Sequence, residues 1–247
     1  MILLVDIGNS YLKWTVAERG GIAETRYLDY RAANFAAGLT EVWAGLAEPE
    51  AIGLAAVAAP EVVEDVLKLG RKLWPDANWL RPVSARNAFG VASAYRKPEK
   101  LGVDRWLAMI GARHAYPGAN CIVDCGTAIT VDFVSADGRH QGGLICPGLR
   151  LMKQALAANT HALPIAAGAG EVGLAADTDA AIDSGVLWAA AGLVETALRR
   201  QNQHYRLVLT GGDAASLAQQ LAGDKVLDSQ LVFKGLLHYC IAAEYGG

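Results

Sequence analysis

Three observations predict an α/β fold of two duplicated halves, each a mixed sheet flanked by helices, with a cleft between them. The first is a repeated device. Residues 1–16 and 120–134 each read as an apolar strand, an Asp-x-Gly turn followed by a polar residue, and a second apolar strand. Asp6 and Asp124 hold equivalent places in the two copies. The second is order, because a hairpin followed by alternating helix and strand patterns describes a mixed sheet. The third is bulk. The chain has 247 residues, 53% hydrophobic and 19% charged, enough for a large core and for two domains of about 100–150 residues.

In the first half, residues 1–16 form the leading hairpin and a further strand is expected near residues 21–28. Residues 32–46 have helical spacing, with Phe35, Leu39, Val42, Trp43 and Leu46 on one side. Residues 52–58 are a continuous apolar run, as in a buried parallel strand. Pro60 opens a helix over 61–74 that turns Val62, Val63, Val66, Leu67 and Leu73 inward. Residues 79–83 read as another strand. Residues 95–100 are polar and broken by Pro98, hence loop, and Gly102-Val103-Asp104-Arg105 leads into a helix over 104–114.

The turn at residues 116–120 is the expected boundary between domains 1–115 and 116–247. The second hairpin follows it, and Gly142-Gly143 and Pro147-Gly148 bring bare backbone near it. Residues 149–158 are helical. Residues 166–176 are small, glycine-rich and expected to be mobile. A long helix begins near Asp177-Thr178 and runs to about 201. A strand over 205–210 turns at Gly211-Gly212-Asp213 into a helix over 214–221, and an amphipathic helix over 231–243 closes the chain.

Composition excludes several classes. A net charge of −3 without a basic tract argues against a nucleic-acid surface. No basic region precedes an apolar run at the N-terminus, and the apolar runs are short, so neither a signal peptide nor a membrane span is expected. These features predict a soluble, cytoplasmic protein. The four cysteines lack zinc spacing and are expected as reduced thiols. No Gly-x-Ser-x-Gly elbow points to a serine hydrolase.

The chemistry is expected at the two turns and at Asp104. A strand that ends in a carboxylate and bare glycine backbone is suited to meet a phosphate or a metal. The plainer reading is an ordinary hairpin turn, where Asp and Gly are frequent, but duplication weighs against it. Asp104 is either a helix cap or a catalytic carboxylate, with Arg105 beside it for an anionic substrate. Thr178 reads by itself as an N-cap. Strand–Gly211-Gly212–helix is a nucleotide approach of low specificity.

Together, Asp6-Ile7-Gly8-Asn9-Ser10, Gly102 to Arg105, Asp124 to Asp132, Gly142 to Gly148, Asp177-Thr178 with Ala181 to Gly185, and Thr210 to Asp213 resemble the bacterial type III pantothenate kinases. These belong to the acetate and sugar kinase/Hsp70/actin superfamily. The resemblance spans nearly the whole chain, with the motifs in the family's order. Ser10 stands where Thr is commoner and Val103 where Ala is commoner; Ser keeps the hydroxyl, and Val103 changes only bulk. The resemblance implies two ribonuclease H-like (actin-like ATPase) domains and phosphorylation of pantothenate by ATP, the first step of coenzyme A biosynthesis.

It also implies roles for single residues. Asp6, Ile7, Gly8, Asn9, Ser10, Tyr11, Leu12 and Lys13 would form the first phosphate motif, with Asp6 holding Mg²⁺ through water. Thr127 would touch ATP, and Asp124 would hold a monovalent cation, K⁺ or NH₄⁺. Tyr95, Gly102, Val103, Asp104 and Arg105 would line the pantothenate site, Asp104 accepting the hydroxyl proton and Arg105 reaching the carboxylate. Thr178 would contact pantothenate from a neighbouring subunit, which implies a homodimer with its active site near the interface. Nucleic acid and membrane partners are not expected. The alternatives are a regulatory relative that has lost catalysis, or a kinase for another small carboxylate-bearing alcohol.

Overall fold

The structure is a computed structural model that describes residues 1–19, 21–160 and 172–245. In the first half, β1 (Ile2–Ile7) and β2 (Tyr11–Glu18) form the leading hairpin, extended by the short β3 (Gly21–Ile22) and β4 (Arg26–Asp29). Helix α1 (Phe35–Ala44), β5 (Ala51–Ala56), α2 (Pro60–Leu73) and β6 (Asn78–Leu80) follow. The sheet runs β3-β2-β1-β5-β6, with β4 also on β2. β1 pairs antiparallel with β2 and parallel with β5. The expected strand near 21–28 is two short ones, and Val83, expected in a strand, is exposed.

Alternation along β1 divides its side chains between two faces. Leu3, Val5 and Ile7 join Leu39, Trp43, Val63, Val66 and Leu67 in one core, so α1 and α2 cover that face. Pro60 occupies the first turn of α2, where its missing N–H costs nothing. A small hairpin of β7 (Asn87–Ala88) and β8 (Val91–Ala92) precedes α3 (Val103–Ala115). Its turn holds Phe89 at φ +47 and Gly90 at φ +73, the backbone of a two-residue hairpin turn.

The second half repeats the plan with β9 (Asn120–Cys125), β10 (Ala128–Val134), β11 (His140–Pro147), α4 (Leu149–Asn159), α5 (Thr178–Arg199), β12 (Arg206–Thr210), α6 (Ala214–Ala218) and β13 (Lys225–Leu227). Its sheet runs β11-β10-β9-β12-β13, antiparallel among the first three and parallel thereafter. Cys121, Val123, Cys125, Val131 and Leu209 meet Ala190, Val194 and Leu217 in a core beneath α5 and α6. Burial raises the thiol pKa of Cys121 and Cys125, keeping both protonated. Asp132 Oδ1 and His140 Nε2 lie 2.9 Å apart, both buried, where β10 and β11 shift register.

Helix α7 (Leu231–Tyr245) closes the chain. The chain divides into one unit of Met1–Ala115 with Gln230–Gly247 and another of Tyr116–Ser229. Thus α7 joins the first unit, whereas chain order alone assigned it to the second. The reason is packing. A Cβ at Gly53 on β5 would lie 2.7 Å from Cys240 Sγ, and one at Gly235 would lie 2.0 Å from the Leu107 carbonyl oxygen. α7 therefore lies on the sheet face opposite α1 and α2, in close contact with α3.

α5 corrects the expectation that no segment is long enough to span a membrane: by length and composition it passes. Its apolar side chains, Leu187, Ala190, Ala191 and Val194, lie in the second core. The glycine-rich stretch expected to be mobile falls mostly outside the described residues.

Candidate active site

The two Asp-x-Gly turns occupy the same place in the two sheets. Asp6 is fifth in β1 and Asp124 is fifth in β9; each strand is flanked by an antiparallel and a parallel neighbour. Neither carboxylate lies on the face that joins the core with α1 and α2 or with α5 and α6. Leu4 pairs with Gly53, which faces α7, so Asp6, two residues on, shares that face.

At the first turn, Gly8 N–H donates to the Tyr11 carbonyl at 3.1 Å. A Cβ at Gly8 would meet only that oxygen, at 3.6 Å, so the chain does not demand glycine here for its own packing. Asp6 and Ser10 are buried, Asn9 is exposed, and Lys13 lies opposite Asp6 in register. Ile7 and Leu12 belong to the core. A ligand at this turn would therefore meet their backbone only.

In the second unit the turn is built from close backbone. A Cβ at Gly211 (φ +91) would lie 2.5 Å from Asp124 Oδ1 and 2.6 Å from the Cys125 carbonyl oxygen. One at Gly148 would lie 2.2 Å from the Gly126 and 2.6 Å from the Thr127 carbonyl oxygen. Asp124 thus lies against Gly211 at the end of β12, while Gly148, just after β11, packs on the Gly126-Thr127 backbone of the same turn. A carboxylate oxygen is the kind of donor a hard cation takes, though the Cys125 and Thr127 carbonyls beside it already accept the Asp213 and Gly148 N–H groups. Asp213 stands beside this turn, its N–H donating to the Cys125 carbonyl at 3.1 Å. Burial holds its carboxyl above the ordinary aspartate range, partly offset by Lys153 and Arg150. The sequence marked Pro147-Gly148 and Gly211-Gly212-Asp213, but not that they meet the backbone of residues 125–127, because those contacts are non-local.

A cavity of about 190 Å³ opens beyond the carboxyl ends of β12 and β13, lined by Thr210, Gly211, Gly212, Ala215, Leu227 and Asp228. Asp228 accepts a 2.8 Å hydrogen bond from the Tyr116 hydroxyl. Crevices at strand carboxyl ends are the usual ligand position in open α/β sheets. The sequence marked Gly211-Gly212 but gave no sign of Asp228.

The remaining candidates gather at the start of α3. Asp104 lies in its first turn and accepts from its neighbour's amide, Arg105 N–H, at 2.8 Å. A Cβ at Gly102 would lie 2.5 Å from Asp104 Oδ1, so glycine makes room for this carboxylate. Arg105 is buried, donates to the Tyr95 hydroxyl at 2.9 Å and lies over the Tyr95 ring at 5.7 Å. The structure therefore brings Tyr95, Gly102, Asp104 and Arg105 together. Thr178 is not the cap of α5. Asp177 is, accepting from Ala180 N–H at 2.9 Å, and Thr178 is the exposed first helical residue.

The family model described as type III pantothenate kinase matches residues 2–200. A protein of that name from Nitrosococcus oceani is 36% identical over 250 residues, covering 96% of this chain and 92% of its own. Among solved structures, a Campylobacter jejuni protein named for the Baf family of transcriptional activators superposes with a TM-score of 0.62 at 21% identity, covering 98% of this chain and 99% of its own. A Sinorhizobium meliloti protein named for 2-dehydro-3-deoxygalactonokinase gives 0.58 at 17%, with 98% and 99% covered. At these identities the two structures speak for the fold alone, that of actin-like ATPases and sugar kinases.

Proposed function

The chain belongs to the type III pantothenate kinase family, and from that membership we propose how its residues divide the work. It is a phosphotransferase acting in coenzyme A biosynthesis. The proposed reaction is in-line transfer of the ATP γ-phosphoryl group to the primary hydroxyl of pantothenate, giving 4'-phosphopantothenate, with Asp104 as the proton acceptor. The observation that carries this reading is the start of α3, where a carboxylate and a buried guanidinium stand on adjacent residues against Gly102 and Tyr95.

Arg105 would pair with the pantothenate carboxylate and so fix its hydroxyl relative to Asp104. A carboxylate is a weak base toward an alcohol, so Asp104 would orient the hydroxyl first and take its proton late. The turn from Asp6 to Lys13 would bind phosphate oxygens through backbone N–H groups, Asn9, Ser10 and Lys13. Asp6 would hold Mg²⁺ through water. Thr127 would touch the nucleotide and Asp124 a monovalent cation. When bound, ATP with its cations supplies the phosphoryl group and the neutralisation its loose transition state requires. The cavity at Gly211-Gly212 is the proposed seat of the adenosine end. Thr178 would serve the pantothenate site of a neighbouring subunit in a homodimer, and the location would be cytoplasmic.

A coupled ADP-release assay with pantothenate, ATP and Mg²⁺, run with and without KCl, tests this reading. Pantothenate-dependent, K⁺-stimulated release is expected, and Asp124→Ala should flatten the K⁺ response. Pantothenate-independent or absent release from folded protein would overturn the assignment of substrate.

A further inference from the structure

Resting on the pantothenate-site reading, we infer that Arg86 is a positioning residue for substrate: its guanidinium sets the segment that carries Tyr95 and, through Tyr95, the aim of Arg105. Residues 93–97 belong to no helix or strand, so their carbonyls have no ladder to join. Arg86 donates to three of them. One Nη donates to the Tyr95 carbonyl at 2.7 Å and reaches the Ser93 carbonyl at 3.5 Å; the other donates to the Arg96 carbonyl at 2.8 Å. The backbone closes the clamp, because Ser93 N–H donates to the Arg86 carbonyl at 2.9 Å. Tyr95 N–H then donates to Ser93 Oγ at 3.2 Å.

The far end of the segment is held from the same stretch, residues 84–86. Ser84, two residues before Arg86, donates to the Leu101 carbonyl at 2.8 Å, next to Gly102. The route between these two anchors therefore has little freedom, and Tyr95 stands on it with its hydroxyl on Arg105 Nη1 at 2.9 Å. A guanidinium is suited to this task, since its planar fork offers donors in fixed directions that an ammonium cannot copy. Arg86 itself is exposed and so positions from outside the pocket.

The test uses Arg86→Gln, Arg86→Lys, Tyr95→Phe and the Arg86→Gln/Tyr95→Phe double variant of the full chain. Losing such charge-assisted bonds should raise the pantothenate KM by about tenfold, with kcat and the ATP KM within about twofold of the parent. Arg86→Lys should recover less than half of that loss. The double variant should be no worse than the weaker single, since both act along one route. Hydrogen exchange in Arg86→Gln should quicken at residues 93–97 while α3 keeps its protection. An unchanged pantothenate KM, or losses that multiply in the double variant, would overturn the proposal. Absence of pantothenate turnover in the parent would overturn the reading of the site instead. Exchange at residues 93–97 would then uphold or overturn the clamp by itself.

Discussion

We propose that Asp104 meets both demands that the sequence presented as rivals. It accepts the Arg105 amide in the first turn of α3, where an unpaired N–H and the helix dipole both favour a carboxylate. It is also half-buried beside Gly102 and Arg105, where the proposed reaction needs its base. The two roles separate on substitution. Asn keeps an oxygen for the amide and loses the base, so Asp104→Asn should lower kcat by about 10²–10⁴-fold, the range of general-base catalysis, with an unchanged melting temperature. Rates and thermal scans of the same preparation check this. A melting loss equal to that of an unfolding core variant would mark Asp104 as structural. Most of this residue-scale picture was legible in chain order, because Gly102, Asp104 and Arg105 are neighbours. Tyr95 stands ten positions before Arg105, and only folding shows that contact.

At the scale of elements, the α3–α7 contact holds the helix that opens with Asp104 and Arg105. Gly111 and Gly235 let the helices touch through bare backbone, and a Cβ at either would lie 2.2 or 2.0 Å from a facing carbonyl oxygen. Gly235→Ala should therefore destabilise the first unit by about 2–4 kcal/mol through overpacking, read as a shifted urea midpoint with unchanged slope. Next to this contact, the His114 and His238 rings lie 3.9 Å apart, with Phe89 against Tyr239 and Tyr239 accepting from Trp106 Nε1. Burial, and then His114, hold the His238 pKa below its ordinary 6.5. As pH falls below 6.5 the unfolded chain takes up a proton that folded His238 resists, so stability should decline from there to the lowered pKa. His238→Gln should show a smaller loss of urea midpoint between pH 7.5 and 5.5 than the parent. Periodicity revealed both helices but not their glycine contact, since helical spacing says which face is apolar and not which element covers it.

At the scale of the whole molecule, the proposed homodimer has a candidate surface in the second unit. Leu144 and Ile145 on the edge strand β11, Leu151 and Leu156 on α4, and Trp188 on α5 are exposed apolar side chains. Light scattering is expected to give twice the mass of one chain. Trp188→Glu should shift the mass toward the monomer and raise the pantothenate KM, because Thr178 opens the same helix. A monomeric parent would remove Thr178 from the site. The sequence by itself determined the duplicated α/β plan, the two Asp-x-Gly turns and the Gly102–Arg105 cluster, because local patterns and short spacings encode them. Only the tertiary structure decided that α7 returns to the first unit, that Gly211 packs against Asp124 and Gly148 against the turn after it, and that Arg86 clamps the Tyr95 segment. Each of these joins residues far apart in chain order through shape and hydrogen bonding, and neither periodicity nor composition records which distant partner fills a given space.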